Sequence, residues 1–598
     1  MPADGQNIRS VRAAVPYLVL FLAFTLLYTG SLSLGFLSDD FLDLHHTFGP
    51  GSFTRMEIGG FRPVTVAVYA FDAAVYGPTN PWGWHLTNVL LHLACAYLMY
   101  LFLRELGFDG AALFAGVALF ALTAAGPPAV ARMSGRTTVI SILPILGAFV
   151  LHARWLKSHR ARYLVFAQLL FLASLYAKET ALLGPLVFVG ISLYLREPSD
   201  RPTDVRGSLG DLLLYLIPVA FYLLWRAAFG ILTVHYRESL TFGAFMVKNL
   251  VRLASMSWAP WIDSLPVRIQ LLTLVPVLFL PLGRRVKILY LVMAVALLAT
   301  VCNLPPRANY AYAGVPAASF LLAAVVTRLG ERKVWVLLVP LLLGCALAAR
   351  DGMSRIAQAS SYVRGLTERI IELDGSLPGD GPVFLEGVEY DVAGYPTVWP
   401  GAYDLVMESA GHDPRRPVAE SDVLWEIVHS VSPDFSGVSC WFVQLRGDVC
   451  VREAFSTDSR VWTGDRTGVE LEFAEGRAYV DSSLHTFNSL AVPSRDTSAL
   501  CLPDPWNGHE QVRVESCAIS GDTTWFDLEG SVPWLLSDPP FGMELDGYGG
   551  TALLSPRRIW REELEERLRR KQAVGQAISG GPQRGDPAGP ERASPAIG

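Results

Sequence analysis

VPYLVLFLAFTLLYTGSLSLGFLSDDF, residues 15–41, runs as continuous apolar chain and then, with hardly a spacer, presents the adjacent carboxylates Asp39 and Asp40. About 20 apolar residues at a 1.5 Å rise match the roughly 30 Å hydrocarbon core of a bilayer, so the run reads as a membrane helix. It extends well past the h-region of a signal peptide and lacks a small-residue cleavage site before Asp39, which predicts a retained span. Charges just outside such a helix are costly near lipid unless water or a partner meets them. The pair therefore marks a wet pocket at the membrane face.

Composition widens this reading to the whole chain: 598 residues, 51% apolar and 17% charged, a balance foreign to soluble domains of this size. Hydropathy gives about eleven candidate spans. They lie near residues 15–34, 84–103, 110–126, 137–153, 163–177, 180–195, 211–229, 269–282, 286–302, 312–327 and 334–349. Arg9 and Arg12, then Arg154, Lys157, Arg160 and Arg162, then Arg284, Arg285 and Lys287, then Arg328, Arg332 and Lys333 all fall on one side if the amino terminus is cytoplasmic. The Asp39 loop, taken as residues 35–83, and everything after 350 then face outward.

The segment 241–262 is apolar enough to compete as a further span. Lys248 and Arg252 lie four apart at its middle, costly at the bilayer centre, so it is predicted to lie on the outer surface, anchored by Trp258 and Trp261. The net charge of −6 argues against a nucleic-acid partner. Cys95, Cys302 and Cys345 sit in spans as small apolar residues. Cys440, Cys450, Cys501 and Cys517 form an even set outside, compatible with one or two disulfides of undetermined pairing.

After Arg350 the long apolar runs stop, dividing the chain into a membrane part (1–350), a soluble mixed α/β part (351–555) and a charged helix with a Gly, Pro and Ala tail (556–598). Strands are predicted at 383–385, 439–445 and 469–473, and helices at 353–373, 421–429 and 556–571. The fold class is an α-helical polytopic membrane protein with an extracytoplasmic α/β domain.

Polar residues then concentrate at the outward ends of the spans. Arg62-Pro63 opens a short interfacial helix with Val64, Val68, Phe71 and Val75 at helical spacing. His85, Asn88 and His92 form one stripe of the second span, either lining the pocket beneath the aspartates or hydrogen-bonding neighbouring helices. Ser134-Gly135-Arg136 precedes the fourth span. Lys178-Glu179 sits in a tight turn, where the cation could meet a phosphate or simply snorkel to the interface. Arg307, with Tyr310 and Tyr312, offers a planar fork for phosphate and aromatic surfaces for a sugar or lipid head, or marks an ordinary aromatic and basic boundary.

In order, SDDF (38–41), FRPVT (61–65), NPWGWHLTNVLLH (80–92), SGRTTVIS (134–141), AKETALLGP (177–185) and the looser Arg307–Tyr312 stretch resemble the GT-C superfamily of polytopic glycosyltransferases. The resemblance is greatest to the protein O-mannosyltransferases, including the membrane part of the transmembrane, tetratricopeptide-repeat O-mannosyltransferases. It covers roughly the first 330 residues. It implies a polyprenyl-phosphate-linked sugar as donor, transfer at the outer face, and a protein or glycan acceptor that the sequence does not identify. The chain departs from the family in carrying Thr123-Ala124-Ala125-Gly126-Pro127-Pro128 where a His-Pro and an acidic residue often stand, and in lacking tetratricopeptide repeats. Its excess of Arg over Lys and its abundant Ala and Gly point to a bacterial cell membrane.

A phosphate leaves as a stable anion, so transfer needs a base for the acceptor hydroxyl and cations for the phosphate, but no general acid. Asp40 or Asp39 is the expected base of an inverting displacement, with Asp40 preferred; the other carboxylate orients it or binds a divalent cation. Arg62, Lys178, Arg136 and Arg307 are the expected phosphate ligands. His85, Asn88, His92, Glu179, Tyr310 and Tyr312 are the expected pocket lining. The competing class is a transporter, flippase or assembly scaffold, against which stands the clustering of ionisable residues at helix ends rather than at mid-depth.

Overall fold

The computed structural model describes residues 4–48, 62–196, 203–228, 244–258, 280–302, 307–329 and 331–377, and shorter stretches between 383 and 554. Among these, six helices are long and apolar enough to cross a membrane by length and composition: Val15–Ser33, Pro81–Glu105, Arg136–Ser158, Gly210–Ala228, Ala308–Arg328 and Lys333–Ser376. Four more of the expected spans fall on shorter apolar helices: Gly110–Ala121, Ala161–Ala177, Gly184–Leu195 and Arg284–Leu298. A 12-residue helix rises only about 18 Å. The first of these stops at Ala121 and is followed by a separate five-residue helix, Gly126–Val130, with proline in its first turn, and the Lys178-Glu179 turn separates the next two. The expected span at 269–282 lies almost entirely outside the described residues.

The helix Ala308–Arg328 is the most enclosed of the six and forms the centre of the bundle, packed against Gly110–Ala121 and Arg284–Leu298. Around it, buried polar side chains pair across helices, as expected where lipid offers no alternative partner. Ser141 Oγ lies 3.1 Å from Ser174 Oγ. His152 Nε2 is 3.0 Å from Ser192 Oγ, and its Nδ1 is 3.1 Å from the Tyr215 hydroxyl. Outer faces carry exposed Leu18, Phe21, Leu26, Leu224 and Val336, the inverse of a soluble protein.

The last span and the helix predicted at 353–373 are one element, Glu331–Ser376, of 46 residues. At 1.5 Å per residue it is about 69 Å long, twice the hydrocarbon thickness; it continues through Pro340 and Gly352, and the polar run 351–376 holds no proline. Its upper part braces the loop after the first span: Ser360 Oγ accepts the Gly35 N–H at 2.7 Å, and Arg364 donates to the Ser33 carbonyl at 2.9 Å. The segment 244–256 is a helix as predicted, with Leu253 and Ala254 buried and Val247 exposed; Trp261 lies outside the described residues.

The chain divides into two compact units, Met1–Leu373 with Tyr390–Asp413, and Asp374–Glu389 with Pro414–Gly598. The second is built of strands. Val383–Glu386 pairs in parallel with Val418–Glu420 and Ser439–Arg446, and the latter forms an antiparallel hairpin with Val449–Ser456. Thr523–Val532 lies between Val514–Ser520 and Phe487–Val492 in an antiparallel sheet. The predicted strands at 383, 439 and 469 are present, the last as Leu471–Ala474. The predicted helices 421–429 and 556–571 lie outside the described residues.

Candidate active site

Asp39 and Asp40 form the first turn of a ten-residue helix, Asp39–Phe48, where the unpaired N–H groups of the helix start favour negative charge. Ser38, at φ 49°, sits in the left-handed region that side chains rarely adopt. It is pinned there by its N–H, which donates to the Thr397 carbonyl at 2.7 Å. The two carboxylates then part company. Asp40 is fully buried and accepts the Leu37 N–H at 2.9 Å and the Ser134 N–H at 2.7 Å, one on each oxygen. Burial pushes its carboxyl upward, against the opposing pull of Arg132 and these N–H groups. Asp39 keeps 35% of its side chain exposed and lies 3.7 Å from Arg132 Nη2.

One turn further, Asp43 faces the same space. Burial first, then repulsion from Asp39 and Asp40, raises its carboxyl to about 7, while the Tyr69 hydroxyl and Arg62 oppose. The Tyr69 oxygen lies 3.1 Å from Asp43 Oδ2 and 3.2 Å from the Met133 carbonyl. A phenol has one hydrogen, so it serves one acceptor at a time; a protonated Asp43 donates to the tyrosine oxygen and frees that hydrogen for Met133.

The facing wall comes from the Lys178-Glu179 turn and the start of helix Pro63–Tyr76. Arg62 holds Glu179 with two parallel bonds, Nη2 to Oε1 at 2.7 Å and Nε to Oε2 at 3.3 Å. Burial alone would raise the Glu179 carboxyl, but Arg62 keeps it below the usual value. Lys178 is buried, with Nζ donating to Thr138 Oγ1 at 2.8 Å and Thr137 Oγ1 at 3.3 Å, and it lies 5.1 Å from the centre of the Tyr310 ring. Burial, helped by the neighbouring Arg62, pulls its ammonium down to about 7 against the attraction of Glu179 and Asp43.

The remaining expected site residues divide between the interior and the site wall. Arg136 is fully buried, ion-paired to the equally buried Asp72, bonded to Asn88 Oδ1 at 3.1 Å and stacked 4.3 Å from the Tyr69 ring centre. The structure thus places Arg136 in the interior beside Asp72. Asn88 does not line a wet pocket; its Nδ2 donates to the Val130 carbonyl at 2.8 Å and the Arg132 carbonyl at 3.3 Å. His92 and Tyr312 meet each other in the interior at 2.8 Å, and His85 is buried against the backbone of Leu34 and Gly35. Tyr310 remains at the site over Lys178, and Arg307 is half-buried at the start of the helical stretch bearing it.

Three residues that the sequence reading passed over complete the arrangement: Arg132, Asp43 and Asp72. Only Asp72 left a usable signal. Thr65, Tyr69 and Asp72 recur at i, i+4 and i+7 opposite the apolar stripe, and these are the buried positions of helix Pro63–Tyr76, while Phe71 and Val75 are exposed. Gly83 lets this helix approach the next, since a Cβ there would fall 2.0 Å from the Tyr76 ring. A Cβ at Gly135 would lie 2.2 Å from the Pro128 carbonyl oxygen, so the loop carrying Arg132 and Ser134 closes only around glycine. Among the described residues no group of three His, Cys, Asp or Glu side chains is arranged to hold a metal ion.

The chain is 34% identical over 158 residues to Protein O-mannosyl-transferase Tmtc1 of Drosophila melanogaster, a match covering 26% of this chain and 18% of the relative. It is 33% identical over 135 residues to Protein O-mannosyl-transferase Tmtc2 of the same organism, covering 22% and 14%. The resemblance read from the motifs is thus borne out in sequence. The match spans less than a fifth of the length of either relative. The crystal structure of ArnT from Cupriavidus metallidurans in the apo state aligns at TM-score 0.44 and 13% identity, over 72% of this chain and 93% of that one, a loose likeness. No family model matches. With six helices able to span a bilayer, the chain is an integral membrane protein.

Proposed function

We propose that this protein is a membrane glycosyltransferase that moves a sugar from a polyprenyl-phosphate donor to an acceptor hydroxyl at the outer face of a bacterial cell membrane, by a single inverting displacement. The observation that carries this reading is the convergence, at one end of the bundle, of a carboxylate open to solvent with a buried lysine and a paired arginine from other helices. Asp39 is the base: it is the exposed member of the pair, whereas both oxygens of Asp40 are engaged by backbone N–H groups. Asp40 therefore orients the helix start. Lys178 and Arg62, with Arg307 beside Tyr310, receive the departing phosphate. The amino terminus is cytoplasmic, and residues 351–555 stand outside as an acceptor-facing or docking domain. The sequence likeness to O-mannosyltransferases supports this chemistry, and the Lys and Arg loops support this orientation.

Membranes containing the protein, supplied with radioactive polyprenyl-phosphate mannose and glucose, are expected to transfer label to endogenous acceptors. Asp39→Asn should lower transfer by at least about a hundredfold, while Asp40→Asn should reduce it less. A wild-type protein that consumes neither donor overturns the reading in favour of a scaffold or transporter.

A further inference from the structure

The loop 131–135 addresses all three aspartates of helix Asp39–Phe48. Ser134 gives its N–H to Asp40, the Met133 carbonyl shares the Tyr69 hydroxyl with Asp43, and Arg132 faces Asp39. The loop is itself held from behind, because Asn88 binds the carbonyls of Val130 and Arg132, and Asn88 is in turn fixed by the Arg136–Asp72 pair. The Arg132 side chain is 7% exposed, yet Nε and Nη2, the two nitrogens of one guanidinium edge, have no hydrogen-bond partner among the described residues, and Asp39 lies 3.7 Å from Nη2. Arg136 also leaves Nε and Nη2 without a hydrogen-bond partner among the described residues, but it is already ion-paired through Nη1 to the buried Asp72, whereas Arg132 faces the part-exposed Asp39. A desolvated guanidinium gains most from a carboxylate that can close on that edge with two parallel bonds.

We propose that Arg132 is the positioning residue of the transfer reaction: it holds and aims the Asp39 carboxylate until an acceptor hydroxyl replaces it as partner. This rests on Asp39 being the base. Three carboxylates within five residues disfavour one another's ionisation, and Arg132 is the cation that meets the solvent-open member of the set. The other charged or titratable groups around it are Asp40 and Asp43 on the aspartate helix, Tyr69 on the short helix, Tyr395 on the hairpin 391–396, and Asp351 with Arg355, both near Tyr395 on the long helix. Arg62 and Lys178 act on Asp43. At 3.7 Å from Nη2 the carboxylate is close enough to feel the charge.

The test is a pH–activity profile for consumption of polyprenyl-phosphate mannose by the full-length protein in nanodiscs. In Arg132→Gln the acid limb is expected to move up by about 1 pH unit, so activity at pH 6 falls several-fold more than activity at pH 8. Limbs from Asp43 and Lys178 are common to wild type and variant, so the difference between profiles isolates Arg132. Arg132→Lys, which keeps the charge and loses the planar edge, should keep the wild-type shape with a lower kcat. A uniform loss at every pH in Arg132→Gln, or an acid limb displaced equally in Arg132→Lys, overturns the proposal; the Lys variant also decides if the Gln variant does not accumulate. Asp39→Asn run alongside separates the two readings. Full activity there removes the base assignment itself, whereas an inactive Asp39→Asn beside an unaltered Arg132→Gln profile removes only the role of Arg132.

Discussion

Helix Pro81–Glu105 touches charge at both ends and treats it differently at each. At its last residue Glu105 accepts Arg154 Nε at 2.8 Å and Lys157 Nζ at 3.0 Å, two cations sharing one carboxylate, with Lys157 half in solvent. At its first turns Asn88 joins a fully buried Arg136–Asp72 pair, and beyond it stand Asp39, Asp40 and Asp43 on one short helix, with Arg132, Arg62 and Lys178 around them. The first end is an electrostatic arrangement that water could dissolve without harm. The second keeps like charges close, removes water from most of them and pulls Asp43 and Lys178 toward neutrality at the same pH. Solvated pairs at a helix end report orientation in the membrane; dehydrated, crowded charges single out the end proposed as the active site.

The sharpest way to break this contrast is at Asp39. Asp39→Asn should lower sugar transfer by about 10²- to 10⁴-fold, the range of a general base, with normal protein levels, measured as label transferred in membranes. Next is the dehydrated pair: Asp72→Asn strands the Arg136 charge and should cost about 3–5 kcal/mol of stability, seen as loss of folded protein in a detergent melt. The pH response sharpens the comparison further. Asp43 binds its proton more tightly folded than unfolded, so its contribution to stability is present below pH 4 and lost as pH rises to about 7. Lys178 binds its proton less tightly folded, so its contribution is present above the usual lysine value near pH 10 and lost as pH falls to about 7. The two together place a shallow minimum near pH 7 in the melting temperature, and Asp43→Asn should flatten its acid side. The smallest effect belongs to the other end: Glu105→Gln should cost no more than about 1 kcal/mol and leave transfer unchanged.

How much was legible beforehand follows the same division. Asp39, Asp40, Lys178 and Glu179 could be found because charge beside long apolar runs needs a reason, and that reason is local. Arg136 was legible as an exception but not in its role, because the carboxylate that neutralises it, Asp72, lies 64 positions away and is brought close only by packing. Arg132 resembled an ordinary residue of a loop, since its meaning depends on a helix ninety residues earlier. His92 and Tyr312 each looked like pocket lining, and only the folded bundle shows that they answer one another. The helix Glu331–Ser376 was split at Arg350 because hydropathy changes there while helical geometry does not.

The doubly bonded Arg62–Glu179 pair carries a selectivity of its own. An arginine already clasped by a carboxylate is a poor trap for the inorganic phosphate and other small anions that bathe an exposed surface. On the proposed function, a phosphoryl group accepted there has to bring additional affinity from elsewhere, which a hydrocarbon tail anchored in the surrounding lipid would supply, favouring a membrane-borne carrier over free solutes.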